Sequence, residues 1–367
     1  MNRRTLAALG AACVLVGCAP ARSPSPWQAV EVSTDADFTG IWFTDPANGW
    51  LVGSGWSIDG GIMGRTRDGG RTWRFESGIL PGADRGAGLG RVQFRDSLRG
   101  WATASVGRVL VTVDGGGTWR PVWLPGMPGG YVHDLQFQPD GQGWAAGTQI
   151  AHSDDGGETW RTLFRSESEN GYVTANAIHF NDASHGWLVG QVGTLMCTLN
   201  GGSDWSAVRL PLEKNEHPTL WDITFVNADQ GWAAGERGSI FHTSDGGATW
   251  ERQERGVPIV RPLAQGEKPR RDVLPELETE PDRLTVSAIR FADSERGWAV
   301  GYYADVAESV VLRTDDGGAT WRTEHVQPGE LLRSLFVLDR DHAWAAGDRA
   351  RTQPQVVLRL EPEPRAR

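Results

Sequence analysis

TSDGGATW, residues 243–250, decides the reading of this chain because it does not stand alone. Near-copies occur at 66–73 (TRDGGRTW), 112–119 (TVDGGGTW), 153–160 (SDDGGETW) and 314–321 (TDDGGATW), with a worn one, TLNGGSDW, at 198–205. An Asp, two glycines and a Trp in six places are either six reactive loops or six copies of one fastener. The residue chemistry favours the fastener. An Asp at the start of a turn accepts backbone N–H bonds, and the glycines take positive φ or allow close approach. Ser or Thr adds a hydroxyl bond across the hairpin, and the Trp leaves the turn for a core. The turn-starting positions are then Asp68, Asp114, Asp155, Asn200, Asp245 and Asp316. The fourth copy puts Asn200 for Asp and Asp204 for Thr, as a turn tolerates.

Upstream of each octet lies a second motif, an apolar pair, a turn and a Gly-Trp step, as in IWFTDPANGWLVG (41–53) and ITFVNADQGWAAG (223–235). Seven copies place tryptophans at 50, 101, 144, 187, 232, 298 and 344, at intervals of 43 to 51 residues with one of 66. That period, with short apolar runs broken by Gly, Asp and Asn, predicts repeated four-stranded units, the blades of an all-β propeller. The first strand is the I-x-F run, the second follows Gly-Trp, the third precedes the octet and the fourth begins at its Trp. Thirteen of the eighteen tryptophans fall at the two repeat positions, which assigns most of them to packing between blades. Seven first motifs against six octets predict the closure. The last unit ends VVLRL (356–360) without an octet, and the N-terminal WQAVEV (27–32) supplies Trp27 where an octet Trp would stand. The N-terminal strand is therefore expected to complete a seventh blade and remove an open edge.

The ends read differently. Arg3 and Arg4 precede an apolar stretch, Leu6 to Val16, too short to span a membrane as a mature helix, and Leu15-Val16-Gly17-Cys18 follows. This tetrad resembles the lipobox of bacterial lipoproteins, in which the Cys is acylated and becomes the mature N-terminus. Residues 1–18 are then a signal and 19–26 a Pro/Ser tether. The propeller would occupy 27–362, with an insertion at 255–283 between blades 5 and 6 and a tail at 363–367. Ala19 rather than Asp after the Cys implies delivery to the outer membrane, on its periplasmic side. Membrane attachment is expected through the N-terminal lipid alone. Cys13 lies in the signal and Cys18 carries the lipid, so Cys197 has no disulfide partner and is expected buried and inert in a strand. No Cys/His spacing suggests a metal, no cofactor is expected, and a net charge of −10 without a basic stripe argues against nucleic acid.

The octet resembles the Asp-box, or bacterial neuraminidase repeat, of sialidase-type propellers. Its pairing with F-x-(D)-x-x-x-G-W over residues 27–360 more closely resembles the photosystem II stability/assembly factor family. That resemblance implies a seven-bladed propeller acting as an assembly factor. Members include lumenal assembly chaperones, whose partner is a photosystem II reaction-centre precursor, and lipoprotein relatives in non-photosynthetic bacteria. A monomer that binds a membrane protein or complex is the expectation here.

The loops joining fourth strands to the next first strands should share a face with the second-to-third loops, opposite the octets. They vary most along the chain, as binding loops do. On that face the candidate contact residues are Arg91, His133, Asp134, Trp221, Asp222 and Arg333, with Glu236, Arg237, Tyr302 and Tyr303 nearby. Aromatic and Arg side chains at a channel mouth suit protein recognition, although the Asp and Arg residues can equally pair with one another around the channel. No catalytic residue is expected. The alternative, a sialidase-like or other glycoside hydrolase or carbohydrate-binding propeller, needs paired carboxylates across a sugar. Asp134 and Asp222 are its candidates. A sialidase also carries an R-I-P element, and none occurs in this sequence.

Overall fold

The computed structural model describes residues 25–55, 58–80, 87–126, 130–164, 167–168, 171–172, 174–258, 284–304, 307–349 and 355–362. The expected signal, residues 19–24 of the tether, all but four residues of the 255–283 insertion and the tail lie outside the described residues.

Seven four-stranded antiparallel sheets form a ring, and a two-residue ribbon, Glu167–Ser168 with Gly171–Tyr172, sits between the third and fourth. Blade 1 runs outward as Asp37–Phe43, Gly49–Gly55, Ile58–Thr66 and Arg74–Ser77. The inner strands of blades 2 to 7 are Leu89–Phe94, Val132–Phe137, Ala175–Phe180, Leu220–Phe225, Thr285–Phe291 and Glu330–Asp339. Blade 7 takes its outer strand from the other end of the chain. Trp27–Val32 pairs antiparallel with Gln355–Leu360, from Trp27 opposite Leu360 to Val32 opposite Gln355, so the seventh blade closes as expected.

Each octet is a turn that hydrogen-bonds to itself. In blade 2, Asp114 Oδ1 accepts from Thr112 Oγ1 at 2.8 Å and from the Thr118 N–H at 2.9 Å, and Oδ2 accepts from Thr118 Oγ1 at 2.7 Å. These bonds hold the Asp114 carboxyl down at about 2. Gly115 and Gly116 have φ of 73° and 85°, which an L side chain adopts only with strain. The worn copy keeps the bond with its polarity reversed: Asn200 Nδ2 donates to Asp204 Oδ2 at 2.9 Å. Its two substitutions compensate each other.

The Gly-Trp step explains the seams between blades. A Cβ on Gly49 would lie 2.4 Å from the Phe43 ring, and on Gly100, 2.6 Å from that of Phe94. The glycine leaves room for the phenyl ring, which then stacks on the Gly-Trp indole of the preceding blade: Trp50 on Phe94 at 3.8 Å, Trp101 on Phe137 at 3.9 Å and Trp344 on Phe43 at 3.6 Å. The octet Trp of the same blade meets that phenyl edge-on, as Trp73 does Phe43 at 6.0 Å. At five seams the preceding blade's indole N–H reaches the next octet, with Trp50 Nε1 donating to Gly115 O at 3.1 Å and Trp344 Nε1 to Gly69 O at 2.9 Å; Trp187 Nε1 has no partner among the described residues. The octet thus clasps its own hairpin and its neighbour.

Two details differ from the sequence expectation. The outer strands begin one residue after the octet Trp, at Arg74, Arg120, Arg161, Ser206, Glu251 and Arg322. In four of the six octets the Trp N–H folds back on the second glycine, as Trp73 Nε1 does on Gly70 O at 3.1 Å, while Trp119 Nε1 and Trp321 Nε1 have no partner among the described residues. Cys197 is half-buried rather than buried, in the third strand of blade 4, and burial raises its thiol pKa. Blade 7 departs in a coupled way. It has Val337 where other blades have Phe and, directly opposite, Ala343 where they have Gly, so no ring competes with the added methyl. Because blade 7 has no octet, the Trp298 N–H turns back to the outer strand of its own blade 6, donating to Glu324 Oε2 at 3.0 Å. The same oxygen accepts from Trp27 Nε1 at 2.9 Å, and Glu324 pairs with Arg313 at 2.9 Å.

Candidate binding mouth

The octets share a face with the turns between first and second strands: Gly69 N–H donates to Ala47 O at 2.9 Å and Gly115 N–H to Leu98 O at 2.7 Å. Strand alternation puts the other two sets of loops on the opposite face, and a cavity of about 370 Å³ opens among the inner strands there. Its wall is a ring with one residue from each blade, four positions before the inner-strand Phe or its equivalent: Thr39, Gly90, His133, Asn176, Trp221, Ser287 and Arg333. Arg91, Val132, Tyr302 and Asp348 complete it.

A bulge in every inner strand creates this ring. The register with the second strand slips between Phe38 and Gly40, Leu89 and Val92, Val132 and Asp134, and correspondingly around to Leu332 and Ser334. The skipped residue is freed from the ladder and its side chain re-aimed, the usual use of a bulge beside a site. The second glycine of each G-W-x-x-G makes the slip possible. A Cβ on Gly147 would lie 1.8 Å from Tyr131 O, on Gly235 2.2 Å from Thr219 O, and on Gly347 2.1 Å from Leu331 O. In blade 2 that glycine is Ala104, and there two residues, Gly90 and Arg91, are skipped.

The mouth is aromatic and cationic. The Arg333 guanidinium lies over the Tyr302 ring, 4.4 Å from its centre, donates to the Tyr302 hydroxyl and pairs through Nε with Asp348 Oδ2 at 2.9 Å. His133 is exposed at the rim, where partial desolvation and then the Arg91 charge lower its pKa; it stacks with Tyr131, which is 62% exposed. Trp221 is half-buried, and its Nε1 has no hydrogen-bond partner among the described residues.

Behind the mouth, a narrower cavity of about 340 Å³ follows the axis between Trp42, Gln93, Gln136, His179, Arg290 and Phe336. Its polar groups join blades. Gln93 Nε2 donates to Phe137 O at 2.9 Å while its Oε1 accepts from Phe137 N–H at 2.7 Å, and Gln136 repeats both bonds with Phe180. Asp134 Oδ2 accepts the Ile178 N–H of the next blade at 3.0 Å and approaches Arg91 at 3.7 Å; burial raises its pKa. Asp222 accepts the Ile289 N–H at 2.8 Å and pairs with Arg290. Burial, reinforced by Arg290, drops the His179 pKa to about 4, leaving the ring neutral at physiological pH.

Of the sequence candidates, the mouth cavity brings together Arg91, His133, Trp221, Tyr302 and Arg333. Asp134 lies deeper with Arg91, and Asp222 is 1% exposed at the blade 5–6 seam. Glu236 and Arg237 sit in the second-to-third loop of blade 5, outside the cavity; Glu236 Oε2 accepts from Thr219 N–H at 2.9 Å, and Arg237 is exposed with φ 59°. Tyr303 is fully buried, its hydroxyl donating to Pro258 O at 2.5 Å. Sequence reading passed over Thr39, Asn176, Ser287, Tyr131 and Asp348. The bulge that selects the first three was signalled by the closing glycine of G-W-x-x-G. Among the described residues no group of His, Cys, Asp and Glu has the makings of a metal site.

The family model described as photosynthesis system II assembly factor YCF48 matches residues 19–133 and 170–259. The photosystem II assembly lipoprotein Ycf48 of Synechococcus sp. (strain CC9902) is 34% identical over 142 residues, covering 35% of this chain and 40% of that protein. The protein of the same name from Picosynechococcus sp. (strain ATCC 27264 / PCC 7002 / PR-6) is 38% identical over 74 residues, 19% of this chain and 20% of that one. These matches therefore span two-fifths or less of the relatives' lengths. A solved structure of YCF48 bound to D1 peptide superposes with a TM-score of 0.67 at 19% identity, covering 94% of this chain and 99% of that one. The GH74 xyloglucanase from Xanthomonas campestris gives 0.60 at 14% identity, covering 91% and 55%. At those identities both likenesses concern the fold.

Proposed function

This chain belongs to the photosynthesis system II assembly factor YCF48 family, and from that premise we propose a non-catalytic periplasmic lipoprotein that binds a protein partner at its mouth. The partner is a segment of a membrane protein or complex, and the propeller serves its assembly. The seven-residue ring carries the proposal. Bulges in all seven blades aim side chains into one cavity, and an Arg stacked on Tyr beside a half-buried Trp is the equipment of an interface hot spot. A Ycf48 of the same fold has been solved with a D1 peptide, which supports a peptide segment as the bound element. Curated relatives carry the name lipoprotein, which supports a signal at 1–18, acylation of Cys18 and a tether at 19–26. Delivery to the outer membrane, a monomeric propeller over 27–362 and a tail at 363–367 complete the reading.

The carboxylates that a glycosidase would need are otherwise engaged. Asp134 and Asp222 each accept a backbone N–H from a neighbouring blade and lie beside Arg91 and Arg290. The test places a photo-crosslinking residue at Tyr131 or His133, and at exposed Leu199 on the octet face as control. Capture of one defined membrane protein from the mouth positions, reduced by Trp221→Ala, is expected. Equal capture from both faces would overturn the reading. Sugar release by the wild type that is abolished by Asp134→Asn would replace it with the hydrolase.

A further inference from the structure

Blade 1 carries an arginine cluster that the rest of the ring neutralises or lacks. Arg65 and Arg74 are direct cross-strand partners at the octet end of the blade. Like charges placed opposite each other destabilise a sheet. Blade 6 holds the same pair, Arg313 opposite Arg322, and quenches it: Asp315 reaches them at 2.9 and 2.7 Å, and Glu324 holds Arg313 at 2.9 Å. The blade-1 counterpart of Asp315 is Arg67, so a third cation stands where the neutralising carboxylate should be. None of Arg65, Arg67 and Arg74 has a carboxylate partner among the described residues, in a chain of net charge −10. Together with Met63, Thr72 and Glu76 they line an open cavity of about 400 Å³. Asp68 lines the same cavity, with its carboxylate occupied by Thr66 and Thr72.

The path of the chain says what this cluster faces. Trp27 lies opposite Leu360, and the adjacent Arg359 lies opposite Trp344, whose N–H donates to Gly69 O in the octet of blade 1. Pro26 and Ser25 therefore leave from the octet face of blade 7, which stands between blades 6 and 1, and Ser25 Oγ lies 2.9 Å from His325 Nδ1 on the blade-6 side. Eight residues separate Cys18 from Trp27, a reach of about 30 Å at most. An acyl chain on Cys18 would hold this side of the propeller near a bilayer.

We propose that Arg65, Arg67 and Arg74 form a headgroup site for anionic phospholipid, seating the propeller on its blade-1 edge and leaving the mouth open to partners. The placement, though not the binding chemistry, rests on the lipid-anchor reading. Elsewhere on the octet face Arg99 and Arg120 pair with Glu158 and Arg340 with Asp293 and Glu295, and the turns of blades 3 to 5 carry Asp140, Asp182 and Asp229. Paired arginines and acidic turns both offer an anionic surface less than the blade-1 cluster does, so the contact centres on blade 1.

The test uses the full chain with Cys18→Ser, so that no lipid contributes, and vesicles of phosphatidylcholine alone or with phosphatidylglycerol. Flotation with the anionic vesicles only, weakened by salt, is expected. Each arginine removed as Gln should cost roughly fivefold in partitioning. Arg67→Asp, which rebuilds the blade-6 arrangement and so should keep or raise the melting temperature, should cost more than tenfold. No difference between the two vesicle types, or Arg67→Asp floating like wild type, overturns the proposal. Saturable binding of inorganic phosphate without flotation also overturns it, assigning the cavity to a free anion. Failure of the anchor is read separately, as unchanged membrane fractionation of Cys18→Ser in cells, and failure of the partner reading by the mouth crosslinks.

Discussion

Trp27→Ala should open the ring. Trp27 is 3% exposed and packs with Trp298, Leu335, Val356 and Leu360 at the one seam made by the two ends of the chain. Burying a Trp removes about 150–250 Å² from water, worth about 4–6 kcal/mol at ~25 cal/mol/Å². Truncations of buried Trp cost about 3–5 kcal/mol. The indole N–H also donates to Glu324, a bond to a charged acceptor worth about 1.5 kcal/mol or more. We expect a loss of about 5 kcal/mol for Trp27→Ala and about 2 kcal/mol for Trp27→Phe, which keeps a ring but not the N–H. Chemical denaturation measures both. Hydrogen exchange locates the damage, with protection falling first in 27–32 and in its partner 355–360. Removing one octet Trp, as in Trp250→Ala, should leave those two strands protected. The reasoning fails if Trp27→Ala costs under about 1 kcal/mol, or if exchange rises no more at 27–32 than elsewhere.

Other outcomes follow from the repeat chemistry. Gly100→Ala drives a methyl into the Phe94 ring and should cost about 1–3 kcal/mol; adding Phe94→Val, the pair that blade 7 uses, should recover part of it in a double-mutant cycle. Asn200→Asp sets a second carboxylate against Asp204 and should destabilise the fold at neutral pH, whereas adding Asp204→Thr restores the octet and the stability. The octet carboxyls of Asp114, Asp155 and Asp245 are depressed to about 2 by their hydrogen bonds. Their contribution is whole above the unfolded value near 4 and is lost as pH falls through about 2, which acid titration of unfolding should register in that window. Glu330, buried at the start of the inner strand of blade 7, is pushed up to about 8 by desolvation. A raised acid favours folding while protonated, so stability should fall as pH rises from about 4.5 through 8, and Glu330→Gln should flatten that slope.

The fold was legible because a propeller repeats its own physics. Asp68 and its counterparts need only their own octet to make their bonds, and Gly49 needs only the Phe six residues earlier. Local chemistry of that kind survives in the sequence as a motif. Counting then located the closure, since seven Gly-Trp steps against six octets left Trp27 as the missing marker. The mouth was only half legible. Arg91, His133, Trp221, Tyr302 and Arg333 were picked out as distinctive residues on the right face, but Thr39, Asn176 and Ser287 are ordinary in type. They belong to the ring because of a one-residue slip between inner and second strands, and register is a relation between strands. Asp134 and Asp222 show the converse, since a carboxylate on an inner strand reads alike in sequence whether it faces a ligand or the next blade's N–H. The arginines of blade 1 required the tertiary structure most of all. The sequence puts four of them within ten residues, 65 to 74, as it puts Arg313 and Arg322 in blade 6. Only spatial pairing reveals that one set is neutralised by Asp315 and Glu324 while Arg65, Arg67 and Arg74 have no carboxylate partner among the described residues. Charge compensation depends on distance, and distance across a strand pair is set by the folded sheet.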